Sequence, residues 1–130
     1  MKERLSLLTE LIKLSRADKK VTQDEYNFML AMAKTLAVSK EDFDRLFNDY
    51  VEFDPPVFEA DRIIQFYRMV LLMNFDQHVD DSELVFVREA GIRLGLSPGA
   101  VEAVFIEMKK GNRGMIPEAK LIEIFKTYHN

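Results

Sequence analysis

The sequence predicts an all-α protein: a seven-helix bundle made of two related three-helix halves and a C-terminal helix. Three observations predict it. Apolar residues recur at helical spacing along most of the chain, and no stretch alternates with the two-residue period of a strand. Helix-start signals of one type return at regular places. The chain also repeats itself. Asp18-Lys19-Lys20-Val21-Thr22-Gln23-Asp24-Glu25 and Asp76-Gln77-His78-Val79-Asp80-Asp81-Ser82-Glu83 both read D-x-x-V-x-x-x-E, at an offset of 76 − 18 = 58. Without a gap, the offset pairs Leu14 with Leu72, Phe28 with Phe86, Leu36 with Leu94, Ser39 with Ser97 and Phe47 with Phe105. A long period present only twice marks a duplication, not a solenoid.

Helix one is expected over residues 3–17, with Leu5, Leu8, Leu11, Ile12 and Ser15 on one face and Leu7 and Leu14 widening it. Helix two has a complete start signal: Thr22 as cap, Glu25 at the capping-box position, and Val21 with Tyr26 as a hydrophobic staple. It is expected to reach Ala37. Helix three starts at Ser39, with Val38 and Phe43 as staple, and is expected to end near Asp49. Residues 50–58 contain Pro55 and Pro56, which exclude helix and join the halves. Helix four, about 59–74, is apolar on most faces and is expected to be central and buried. Helix five starts from Asp80 with Glu83 and a Val79–Leu84 staple, and stops at Gly95. Helix six has Ser97 as cap, Pro98 at its first position and Gly111 as its stop. A last helix follows Pro117 with Leu121, Ile122, Ile124 and Phe125 inward. One domain over 1–130 is expected, with halves at about 1–49 and 59–110.

Composition narrows the function classes. Net charge is −4, and Lys and Arg are scattered, so nothing offers a basic stripe to phosphates and nucleic acid is not an expected partner. The absence of cysteine removes disulfides, thiolate metal sites and thiol catalysis, and fits a reducing compartment. Neither a signal peptide nor a membrane span is predicted, so a cytoplasmic protein is expected. The chain has no G-x-S-x-G, no phosphate-binding glycine loop and no dinucleotide fingerprint, which points away from an enzyme.

The duplicated loops carry the chemistry. Asp76, His78, Asp80, Asp81 and Glu83 fall within eight residues, and Asp18, Asp24 and Glu25 stand in the first copy. Several oxygens suit a hard divalent cation, and one added histidine shifts preference toward zinc or manganese. A calcium EF-hand is excluded: with Glu83 or Glu25 as the twelfth loop residue, the first is Leu72 or Leu14. Helix capping accounts for the same residues without a ligand. Glu25 and Glu83 then close capping boxes, and Asp18 and Asp76 are turn residues. A third reading is a protein-interaction module, with Phe53, Val57 and Phe58 at the joint meeting an unidentified protein partner.

At these loops the chain resembles the TerB-like family of all-helical domains, the tellurite-resistance type. The family's relatives include the N-terminal part of a membrane-anchored J-domain co-chaperone. The family motif is A-D-G-x-V-x-x-x-E in each half. Ala17, Asp18, Val21 and Glu25 match it, as do Asp76, Val79 and Glu83, while Lys19 and Gln77 stand where the family has glycine. The resemblance runs from Leu11 to Phe47, from Ile63 to Phe105 and through the last helix. It implies a non-enzymatic, stress-associated domain holding a divalent metal ion through Asp18, Glu25, Asp76 and Glu83, with His78 and Asp80 as further candidates.

Overall fold

The structure is a computed structural model that describes residues 1–17, 20–75, 79–110 and 116–128. The described residues form seven α-helices and no strand: α1 (Lys2–Ser15), α2 (Gln23–Thr35), α3 (Lys40–Arg45), α4 (Glu59–Met73), α5 (Asp81–Arg93), α6 (Pro98–Lys110) and α7 (Glu118–Thr127). α1 packs on α4. α2 covers α1 and carries α3, while α5 covers α4 and carries α6, against which α7 lies. α1 also reaches α5. The core runs through all of these, from Leu8, Leu11 and Leu14 across Phe66, Met69 and Met73 to Val101, Val104 and Leu121.

The expected elements are present, with shorter ends. α2 stops at Thr35 because Ala37 takes a left-handed conformation, φ 59°. The Val38 amide then donates to Ala33 O at 2.9 Å and the Ala37 amide to Lys34 O at 3.0 Å, which closes the helix as a Schellman motif. α5 closes in the same way through Gly95, φ 75°, with the Leu96 amide donating to Gly91 O at 3.1 Å. α3 ends at Arg45 and not at Asp49. Beyond it Phe47 and Asn48 donate to Asp44 O and Arg45 O, tighter three-residue bonds that do not continue the helix.

α1, rather than α4 alone, is the enclosed centre. Residues 6–12, 14 and 15 are buried, including the polar Ser6, Thr9, Glu10 and Ser15. The joint crosses this helix and is pinned to it. Ser6 Oγ accepts from the Asp54 amide at 3.0 Å, and Thr9 Oγ1 accepts from the Val51 amide at 3.2 Å. α4 buries Phe66, Met69, Val70 and Met73 but leaves Ile64 47% exposed. Ile122, expected inward on α7, is 44% exposed. Both residues line an open groove between α4 and α7, which meet through the Phe66 and Phe125 rings, 6.1 Å apart.

Several contacts occur twice at the 58-residue offset. Arg4 donates to Leu36 O at 2.9 Å and Arg62 to Leu94 O at 3.3 Å, each binding a carbonyl at a helix end. Gln65 Nε2 donates to Leu7 O at 3.0 Å, a residue 65 − 7 = 58 positions earlier.

Candidate functional site

Each acidic loop runs into the first turn of a helix, α2 or α5. Thr22 is the extended cap of α2, and its amide donates to Glu25 Oε1 at 2.9 Å while the Glu25 amide donates back to Thr22 Oγ1 at 3.1 Å. At α5 the Asp80 amide donates to Glu83 Oε1 at 3.1 Å. Both capping boxes are therefore formed where the spacing predicts them. The carboxylates are also deeply placed: Glu25 is 2% and Glu83 1% exposed. Asp80 is half-buried at the cap, and Asp24 and Asp81 face solvent. Asp18, Asp76 and His78, candidates from the same loops, lie outside the described residues, as does His129.

One aromatic contact relates the two loop regions. The rings of Phe28 and Phe75 lie 5.4 Å apart, centroid to centroid. Phe28 is three residues past Glu25 on α2, and Phe75 immediately precedes Asp76. The turn that follows α4 is thereby held against α2, about one turn past Glu25.

Tyr26, the staple residue of α2, packs on Phe43 and Phe47 and donates its hydroxyl to Asp44. Lys40 Nζ lies 2.7 Å from the other oxygen of that carboxylate. The Lys40 ammonium, together with the Tyr26 hydroxyl, holds Asp44 below the usual aspartate range, and Asp44 in turn raises the Tyr26 phenol. A shallow depression of about 360 Å³ opens here beside Val21, Thr22 and Phe47.

The Glu10 carboxylate was not expected among the buried groups. It is 2% exposed, with Arg93 Nη2 at 2.8 Å and Lys13 Nζ at 3.6 Å. The Arg93 guanidinium lies over the rings of Phe53 and Phe86, at 5.4 and 5.8 Å. A signal for Glu10 existed, since it sits inside the Leu7–Leu11–Leu14 stripe. Its partner, 83 residues away (93 − 10), had none. Phe53 is half-buried by these contacts, whereas Val57 and Phe58 are 79% and 71% exposed.

Among the described residues no three His, Cys, Asp or Glu side chains gather in a metal-holding group, and no helix is long and apolar enough to cross a membrane. Compared with family models, curated proteins and solved structures, the chain matches none of them.

Proposed function

We propose that this chain is a non-enzymatic, cytoplasmic TerB-like domain of the tellurite-resistance and stress-associated type. In this reading its two related halves bring their acidic loops together to bind a divalent cation through Asp18, Glu25, Asp76 and Glu83. The two-half reading draws support from the contacts repeated at 58 residues. A twofold relation brings equivalent residues together at its axis, and Gln65 bonds the carbonyl of its own counterpart, Leu7.

The observation that carries the metal reading is the burial of Glu25 and Glu83 at equivalent places. A capping box works at a solvated helix end and does not require burial. A carboxylate fixed deep in a fold is a preorganised oxygen ligand for a hard cation. The Thr22 and Asp80 amides supply hydrogen bonds and fix the orientation of the two carboxylates. A cation held with Asp18 and Asp76 would be bound by these two oriented carboxylates as further oxygen ligands. Such an oxygen set suits a hard divalent cation, Asp80 would add a further oxygen, and His78 would shift preference toward zinc or manganese. The Phe28–Phe75 contact favours the two loops lying at one end of the bundle.

Calorimetric titration of chelator-treated protein with calcium, magnesium, manganese and zinc tests this. Saturable binding is expected, and its loss in the Asp18→Ala/Asp76→Ala double variant. Unchanged affinity in that variant, or no binding by the parent chain, would sink the assignment and leave the loops as capping structures. A second reading, a metal-free scaffold for a protein partner, is favoured by the exposure of Val57 and Phe58.

A further inference from the structure

The groove between α4 and α7 has a volume of about 760 Å³ and an apolar lining that includes Ile63, Ile64, Tyr67, Leu121 and Phe125. Single exposed apolar residues are ordinary on a protein surface. Here they gather: Ile64 is 47% and Ile122 44% exposed on the groove itself, and Phe58, at the cap of α4 beside the lining residue Glu59, is 71% exposed. This face has the character of a helix-packing surface that lacks its opposite layer.

The charge pattern of α7 specifies what covers it. Glu118, Ile122 and Lys126 are all exposed, all line the groove, and stand four residues apart on one helix face. Ile122 is the midpoint, since (118 + 126)/2 = 122. When two copies of α7 cross antiparallel about a twofold axis at Ile122, a residue k places before the centre faces one k places after it. Glu118 of each copy then meets Lys126 of the other, so both ends of the contact are complementary. A covering helix with a single sign of charge would meet its like at one end. We infer that the α4–α7 face is a self-complementary interface for a second copy of this chain. It would form an isologous four-helix contact in which each copy helps to fill the other's groove. This inference does not depend on the metal reading.

Sedimentation velocity of the full chain, from about 1 µM to about 1 mM, reads the association directly. A reversible dimer is expected. Ile122→Glu changes an exposed residue, so circular dichroism should show the fold retained while the dissociation constant rises about tenfold or more. Glu118→Lys and Lys126→Glu each replace two attractive pairs with two repulsive ones and should raise it about tenfold. The combined exchange restores both pairs and should return it to within about threefold of the parent value. A chain that stays monomeric over the whole range overturns the inference. So does a dimer that Ile122→Glu leaves intact, or an exchange variant no tighter than either single change. A monomer that instead captures an amphipathic helix from another protein would assign the groove to a foreign partner and overturn it too.

Discussion

Replacing Gly91 by alanine adds one methyl group where α4, α5 and α6 meet. The new Cβ would lie 2.8 Å from Val101 Cγ2 and 3.1 Å from Phe66 Cε1. Neither neighbour can retreat easily. Both are fully buried, and the Phe66 ring is held by Phe105 and by Phe125, whose ring centroids lie 6.4 and 6.1 Å away. Overpacking of this kind costs about 1–3 kcal/mol. Alanine in place of glycine within a helix returns about 1 kcal/mol. The net expectation for Gly91→Ala is a loss of about 1 kcal/mol, measurable by urea unfolding. The position 58 residues earlier is Ala33, and the counterpart of Phe66 is Leu8. The residues at that offset thus already combine the larger helix residue with the smaller neighbour. Phe66→Leu alone should cost about 1–2 kcal/mol through the space it leaves. Added to Gly91→Ala it should cost less than the sum, with a coupling of about 1 kcal/mol in the double variant's favour. If Gly91→Ala stabilised the protein by about 1 kcal/mol, or if the two changes were strictly additive, the packing account would be wrong.

Two further outcomes follow from the charge contacts. Arg93→Ala leaves the buried Glu10 carboxylate with Lys13 at 3.6 Å as its remaining ion partner. Truncating one partner of a buried pair costs about 3–5 kcal/mol; because Arg93 itself is partly solvated, about 1–3 kcal/mol is expected in thermal unfolding, and a loss below about 0.5 kcal/mol would contradict the role given to it. Asp44 has a folded pKa below its unfolded one, so its contribution is present above the ordinary carboxylate range and is lost as pH falls through the lowered value. Lys40→Met should move the Asp44 carboxyl titration, followed by NMR, back toward an ordinary aspartate. It should weaken the fold slightly at neutral pH and not in strong acid. An unmoved titration would refute the assigned cause.

Local chemistry was the legible part of this chain. Thr22 with Glu25, Asp80 with Glu83, and Gly95 each act within a few residues, and the structure forms the two capping boxes and the glycine stop where spacing predicts them. Ala37 shows the limit. Its left-handed φ is a tertiary outcome that costs about 1–2 kcal/mol for a residue with a Cβ, so nothing in its identity announced it. The burial of Ser6, Thr9 and Glu10 was hidden for a similar reason. Their partners, Asp54, Val51 and Arg93, come from the joint and from α5, and helical periodicity says nothing about what lies across a helix. The outward placement of Ile64 and Ile122 has the same origin, because an apolar stripe predicts burial only where another element arrives to cover it. In the candidate site, sequence pattern located Glu25 and Glu83. Their depth, at 2% and 1% exposure, came only with the folded arrangement.

The enclosure of α1 bears on how the chain is made. This helix is translated before the elements that enclose it: Gln65, which bonds Leu7, and Arg93, which meets Glu10, are added 58 and 83 residues later (65 − 7 and 93 − 10). At roughly 5–20 residues per second, the interval before Arg93 is synthesised is about 4–17 s. During that interval the emerging segment holds leucines and a carboxylate whose final neighbours do not yet exist. α2 can cover one side early, but the side that packs on α4 and α5 must wait. α1 therefore completes its packing long after it is made, and the nascent chain carries an uncovered apolar surface until α4 and α5 have emerged.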